Sequence, residues 1–238
     1  MTVLFDIHSH ILFGVDDGAE TLKDSIALLE KMWDEGLTCV MATPHFYPQD
    51  TDIVDFLTAV NKNFNILKKA IGDKNLPKLY AGCELLYFPG LGQSTSIGKL
   101  CLNNSNYLLL ELTDNCINER LFADITALMK QSGIIPIIAH IERYCKAKNY
   151  KKLLSFVVQA GVPVQVNASS FLMKFFRRPI KKLIKLNIPI ILGTDTHSID
   201  TRPPKFSEAL EYIEKKFGSD FKKQLLKNGD AMMRKIID

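Results

Sequence analysis

Residues 107–112 read YLLLEL. The run is too short for a helix, and its leucines fall on both alternating faces. Such a strand is covered on both sides, the condition of a parallel sheet packed between helices. A glutamate at its end is out of place in that setting. Outward from it the same kind of run recurs: VLFDI (3–7), TCVMAT (38–43), LYAGCEL (79–85), IIPIIAH (134–140), VPVQVN (162–167) and IPIILGT (188–194). Amphipathic stretches stand between or after these strands, at 21–35, 52–71, 118–132, 149–160, 176–186, 205–217 and 219–237. Thr21 and Asp24 have the spacing of a capping box, and Gly36 follows the first helix. About seven βα units without a Gly-rich phosphate loop predict a closed α/β barrel rather than a doubly wound sheet. With no linker, repeat or low-complexity segment, residues 1–238 are expected to form a single domain. FPGLGQSTSIGK (88–99) reads as a loop near the mouth of a site.

Composition narrows the function classes. The net charge of +4 is mild, and the basic residues are scattered along helix faces, so nucleic acid is not an expected partner. No apolar run approaches the ~18–20 residues of a membrane span. The N-terminus lacks the pattern of a signal peptide, so the cytoplasm is expected. The five cysteines are odd in number and lack a C-x-x-C pair, which fits free thiols. A thiol-based phosphatase needs an arginine six positions after its cysteine. Those positions hold His45, Pro89, Tyr107, Phe122 and Lys151, so phosphatase chemistry here needs another nucleophile.

The polar residues fall where the strands end. His8 and His10 flank one serine at the end of the first strand. His45 follows the second, Glu84 and Glu111 end the third and fourth, His140 ends the fifth, and Asp195 and His197 follow the seventh. A lone histidine at a strand end is more often an ordinary hydrogen-bonded residue, and a lone glutamate can be an edge charge. All five histidines in these positions is a different matter, because the C-terminal strand ends of a parallel barrel converge on one mouth. Burying carboxylates costs several kcal/mol unless a cation compensates. Counting Asp17, nine candidate ligands are too many for one ion. Two or three divalent ions about 3.5–4 Å apart would use them. Four carboxylates against three dications leave an excess that suits a phosphate dianion. Mixed imidazole and carboxylate donors favour Mn, Fe or Zn.

FDIHSHILFGVDDGA, ATPHF, AGCEL, LLLEL, IIAHIERY and GTDTHSIDTRPP, in this order, resemble the polymerase-and-histidinol-phosphatase (PHP) superfamily. Within it they resemble the manganese-dependent protein-tyrosine phosphatases of bacterial capsule and exopolysaccharide operons. The resemblance runs nearly end to end. It implies a distorted (β/α)7 TIM-like barrel with a trinuclear metal site. The ligands it implies are His8, His10, Asp17, His45, Glu84, Glu111, His140, Asp195 and His197. Asp17 is preferred to Asp16 as the second acid of the D-D-G run. Arg143 and Arg202 match the family's phosphate-binding arginines. The implied cofactor is Mn2+, with Fe or Zn as alternatives, and the implied substrate is a phosphotyrosine protein, a cognate bacterial tyrosine kinase. The expected chemistry is in-line attack on phosphorus by a hydroxide bridging two metals. Rival readings are a histidinol-phosphate or other small-molecule phosphatase, a nuclease, and a catalytically silent regulator. Three expectations remain for the structure: Phe46 should alter the rim of the pocket, no histidine is left to serve as general acid, and a metal-free chain should tolerate loss of the Glu84 or Glu111 charge.

Overall fold

The computed structural model describes residues 4–237. Nine strands are all paired in parallel: β1 (Phe5–Ser9), β2 (Cys39–Ala42), β3 (His45–Phe46), β4 (Lys78–Ala81), β5 (Glu84–Leu86), β6 (Tyr107–Glu111), β7 (Ile135–Ile138), β8 (Val164–Asn167) and β9 (Ile190–Gly193). The helices are α1 (Leu22–Asp34), α2 (Ile53–Ile71), α3 (Glu119–Ala127), α4 (Tyr150–Ala160), α5 (Ala168–Leu172), α6 (Arg177–Lys185), α7 (Phe206–Phe217) and α8 (Ser219–Ile237). The strand expected from Val3 is seen from Phe5; Val3 itself lies outside the described residues.

Two further short strands appear, which corrects the count of seven. TCVMAT forms β2 and the following His45–Phe46 form β3 beyond Thr43–Pro44, while LYAGCEL splits into β4 and β5 around Gly82–Cys83. The result is a three-stranded sheet, β1-β2-β4, and a six-stranded sheet, β3-β5-β6-β7-β8-β9. Pro44 has no N–H to give the ladder. Gly82 presses so closely on Leu102 that a Cβ would lie 2.5 Å from its side chain. The gaps are bridged by hydrogen bonds from Gly82 N to Ala42 O (2.9 Å) and from Glu84 N to Pro44 O (3.0 Å), so each broken pair still forms one stave. Seven staves close into a ring through a parallel bridge of Ser9 with Thr196, with Asp195 N donating to His8 O (2.7 Å).

Strand alternation sorts the core. Ile7, Met41, Leu109, Ile137 and Ile191 form an inner cluster with Met232 and Ile236 of α8. Their neighbours Val40, Leu108, Leu110, Ile138 and Val164 join the larger outer core beneath the helices. In β1 the register shifts between Asp6 and Ser9, so the inward phase passes from Phe5 and Ile7 to His8 and His10. A bulge that re-aims side chains beside a site is a known use of the device.

The first helix begins as expected: Thr21 Oγ1 accepts from Asp24 N, and Asp24 answers Thr21 N (2.9 Å). The helix over 118–132 is α-helical only to Ala127 and ends in a π turn, Leu128–Ser132. The 88–99 segment folds into two short 3-10 turns, Leu91–Gln93 and Ile97–Leu100, and is tied to α3 where Gly90 N and Tyr87 Oη donate to Asp124 (2.9 and 2.8 Å).

Asp6 is the deepest stitch across the closure. It is fully buried and accepts from Thr194 N (2.8 Å), Thr194 Oγ1 and His8 N (3.1 Å). Replacing Asp6 with leucine strands these donors, so unfolding in urea should show a loss of about 2–3 kcal/mol or more. Thr21→Ala should cost about 1 kcal/mol, the usual value of an N-cap. Equal losses would contradict the role given to Asp6.

Candidate metal centre

Each stave delivers its polar residue at the level where the ladder breaks. His8 and His10 leave β1 fully buried, with their Nε2 atoms 3.0 Å apart. His45 and Glu84 sit side by side in the β3–β5 register, and Glu111 ends β6. His140 and Asp195 both stand just past strand ends with positive φ, 28° and 53°. Such backbone in non-glycine residues is held only by surrounding structure and concentrates at functional sites. The loop after β9 folds back because the Arg202 carbonyl accepts from Thr196 Oγ1 (2.7 Å) and His197 N (3.2 Å). That turn lays the Arg202 guanidinium on Asp195.

All nine sequence-derived ligands meet in one contiguous cluster. Glu84 is its hub: Oε2 lies 3.0 Å from His8 Nε2, 3.3 Å from His10 Nε2 and 3.1 Å from His45 Nδ1, while Oε1 lies 2.9 Å from His140 Nε2. Glu111 stands 3.6 Å from His140 and 3.8 Å from His45. Asp195 Oδ1 lies 3.4–3.6 Å from His8, His10 and His197. Asp17 Oδ1 lies 3.4 Å from His197 Nε2 and 3.7 Å from His45 Nε2. Three overlapping groups have ligand atoms close enough to share an ion: His10, Asp17, His45 and His197; His8, His10 and Glu84; His45, Glu84 and Glu111.

The two acids of the D-D-G run take different places. The Asp17 side chain is 70% exposed and faces the imidazoles, whereas that of Asp16 is 4% exposed and lies behind His10. Asp16 Oδ2 takes the His10 Nδ1 proton at 2.6 Å and also accepts from His45 N, and Oδ1 accepts from Gly18 N. Burial alone would raise the Asp16 pKa, but His10 and the backbone donors hold it at about 2. The same arrangement recurs around the ring. His197 Nδ1 can only donate to the Asp195 carbonyl (3.1 Å), and His140 Nδ1 meets Tyr144 Oη (3.2 Å). Imidazoles held this way at Nδ1 present Nε2 inward, the usual preparation of a metal-ligating histidine.

The electrostatics call for cations. Burial opposes charge on His8 and His10, yet Glu84, Asp195 and Asp16 outweigh it and raise both imidazoles. Burial likewise opposes the Glu84 charge, and the surrounding histidines hold it well below the carboxylate range. Glu111, less well partnered, is pushed up to about 7 by burial and then by Glu84. His197 is lowered to about 4 by burial, then by His10 and Arg202. His45 Nδ1 and His197 Nε2 are buried atoms without a hydrogen-bond partner. Facing imidazole lone pairs, crowded carboxylates and orphaned nitrogens together fit divalent ions.

Arg143 and Arg202 each place one Nη2 on Asp195, at 2.6 and 2.7 Å. Arg143 arrives on the 3-10 turn Ile141–Lys146 that follows His140. Several participants escaped the sequence reading. Tyr144 accepts from Leu112 N (2.9 Å) while touching His140, and only its place four residues after that histidine hints at the contact. Glu142 faces away and braces Asn167 N and Ser170 Oγ. The expectation for Phe46 is corrected: it is buried against Phe56 (4.9 Å), and Tyr47 stacks on His45 (5.0 Å) at the rim instead. Burial raises the pKa of every cysteine, so none is an activated thiolate.

A family model described as capsular polysaccharide synthesis, CpsB/CapC, matches residues 4–234. The chain belongs to this CpsB/CapC family. It is 29% identical to the tyrosine-protein phosphatase CpsB of Streptococcus agalactiae, over 97% of this chain and 98% of that protein. It is also 29% identical to the tyrosine-protein phosphatase YwqE of Bacillus subtilis, over 97% of this chain and 92% of that protein. Among solved structures, it superposes with a TM-score of 0.85 and 27% identity on a chain from the work on YwqE of Bacillus subtilis and CpsB of Streptococcus pneumoniae, described as metal-dependent tyrosine phosphatases. That match covers 98% of this chain and 95% of the other. A more distant likeness, to an amidohydrolase of Bifidobacterium longum (TM-score 0.56, 12% identity, full coverage of both), concerns the barrel alone.

One expectation about this CpsB/CapC site changes. Glu84 is not merely repelled: it lies within 3.3 Å of nitrogens of four imidazoles, and His8, His10 and His140 lower its pKa. In metal-stripped protein, Glu84→Gln should lower unfolding stability by about 3 kcal/mol or more, because buried histidines lose their counter-charge. Glu111→Gln should behave oppositely. A carboxyl whose folded pKa is raised from 4.5 to about 7 weakens the fold as pH climbs through that window. Above it the glutamine variant should therefore equal or exceed wild type. Thermal unfolding of the stripped variants checks the pair, and equal losses in both would contradict this reading.

Proposed function

We propose that this chain is a metal-dependent phosphomonoesterase, a protein-tyrosine phosphatase of capsule or exopolysaccharide synthesis, built as one domain over residues 1–238. The observation that carries the reading is the hub of Glu84 among His8, His10, His45 and His140, open toward two arginines. His8, His10, Asp17, His45, Glu84, Glu111, His140, Asp195 and His197 would hold two or three divalent ions, with Mn2+ the preferred metal and Fe or Zn as alternatives. The substrate class is a phosphotyrosine protein, with a cognate bacterial tyrosine kinase as partner in the cytoplasm. Among the described residues no helix is long and apolar enough to cross a membrane.

When bound, the ions supply a water of lowered pKa and Lewis-acid neutralisation of phosphate charge. The chain's own residues do the rest. Asp16, Tyr144 and the Asp195 carbonyl fix the imidazoles so that ligand nitrogens face inward without reorganisation. Arg143 and Arg202 each use one Nη2 on Asp195, and a guanidinium has five N–H donors, so donors remain for phosphate oxygens. They take up charge as it develops on the non-bridging oxygens. The packed inner cluster below the ligands closes the barrel to solvent from beneath. Tyr47, its hydroxyl kept protonated by burial and by the carboxylates Glu111 and Glu84, flanks His45 where an aryl group enters.

Chelation should abolish hydrolysis of a phosphotyrosine peptide and Mn2+ should restore it, while thiol alkylation should have little effect. Full activity in excess chelator, after time for metal to dissociate, would sink the proposal. Histidinol phosphate and single-stranded DNA, assayed alongside, separate the rival activities, and no turnover of any of them favours the silent regulator. Arg143→Lys should retain metal content but lose about 1.5–3 kcal/mol in kcat/KM, the range for hydrogen bonds to charged groups. Unchanged kcat/KM and unchanged inhibition by inorganic phosphate would make Arg143 ordinary surface charge.

A further inference from the structure

Two side chains that the proposed chemistry leaves unused stand in the middle of the site. Gln165 and Asn167 lie two apart on β8 and are both buried. Gln165 Oε1 lies 2.7 Å from His140 N and 3.1 Å from His8 Nδ1. Gln165 Nε2 lies 2.7 Å from Asn167 Oδ1, and Asn167 Nδ2 lies 2.8 Å from Asp195 Oδ2. Gly193, paired with Asn167 in the register, makes room for this: a Cβ there would lie 2.8 Å from both Gln165 Nε2 and His8 Cβ.

One group sets the direction of every bond in this chain. The His140 backbone N–H can only donate, so the Gln165 atom facing it must be the carbonyl oxygen. The Gln165 amide nitrogen therefore donates to Asn167, whose own nitrogen then donates to Asp195. The same oxygen can accept from His8 but not donate to it, so a proton on His8 Nδ1 completes that hydrogen bond and turns Nε2 toward Glu84 and Asp195. We propose that Gln165 and Asn167 are positioning residues: a polar wire from the His140 backbone through both amides sets the His8 tautomer and aims Asp195 at the ions. The proposal rests on the metal-centre reading for its effect on ion binding, though not for the tautomer.

Two measurements decide it. Imidazole 15N NMR of metal-stripped wild type should show a proton on His8 Nδ1, in the Nδ1–H form or in the imidazolium. A neutral Nε2–H form would overturn the wire without reference to any metal. Calorimetric titration with Mn2+ should then show about 10–100-fold weaker binding in Gln165→Leu and in Asn167→Leu, the usual cost of removing an outer partner of a ligand. Only Gln165→Leu should also release the His8 tautomer, while Gln165→Glu, which keeps two acceptor oxygens, should restore it. Unchanged Mn2+ affinity in both leucine variants would overturn the positioning role. Should wild type bind no Mn2+, the metal-centre reading fails and the aiming of Asp195 falls with it, while the NMR result still decides the tautomer.

Discussion

Glu84 stands in the upper ring of the barrel, above its apolar plug, out of contact with solvent and ringed by four imidazoles, of which His8, His10 and His140 hold its carboxyl well below the usual range. An isolated buried carboxylate is not tolerable in a protein interior, so the charge dictates what stands around it. Glu84, with Asp195 and Asp16, outweighs burial at His8 and His10, so burial fails to depress those imidazoles. That does not satisfy everything present: burial and then Glu84 raise Glu111, and His197 Nε2 is a buried atom without a hydrogen bond. Divalent ions would answer the same demand more completely, and an excess of positive charge would then remain for a phosphate dianion. The capsule-synthesis family to which the chain belongs and its likeness to metal-dependent tyrosine phosphatases agree with that physical requirement.

The fold serves this well of charge by interrupting itself at one level. The β1 register shift, the Thr43–Pro44 break, the Gly82–Cys83 break and the positive φ of His140 and Asp195 all occur where the clustered histidines and carboxylates turn inward. Below that level the staves are regular and the lumen is filled by Ile7, Met41, Leu109 and Ile137. The strained upper ring therefore rests on a rigid apolar plug. Donors and acceptors hold it in place: Asp6 with Thr194, Asp16 with His10, Tyr144 with His140. This is electrostatic preorganisation, in which few groups need to move when charge develops on the substrate.

Much of this was legible in the chain itself. Apolar runs such as YLLLEL marked the parallel strands, and the Thr21–Asp24 capping box forms as its spacing required. The nine candidate positions could be picked out because scarce histidines and acids ended apolar runs, and the barrel brings all nine side chains together. What escaped was geometry that residue type does not encode. Strand period alone does not show that Pro44 and Gly82 divide two staves. Phe46 and Tyr47 are both aromatic, and only the phase of β3 puts one in the core and the other against His45. Glu84 and Glu111 looked alike as glutamates in apolar strands, but one is held low by His8, His10 and His140 and the other is raised chiefly by burial. Gln165 was hidden within VPVQVN because a polar residue in a strand carries no sign of what it will face.

A count of bound ions tests the proposed metal centre most directly. Chelator-stripped protein titrated with Mn2+, with bound metal measured by mass spectrometry and phosphotyrosine-peptide hydrolysis followed in the same samples, gives that count. The prediction is two or three ions per chain, with turnover absent at zero occupancy and rising as the sites fill. Full turnover in the metal-free chain, or a chain that takes up no Mn2+, Fe or Zn, would contradict it.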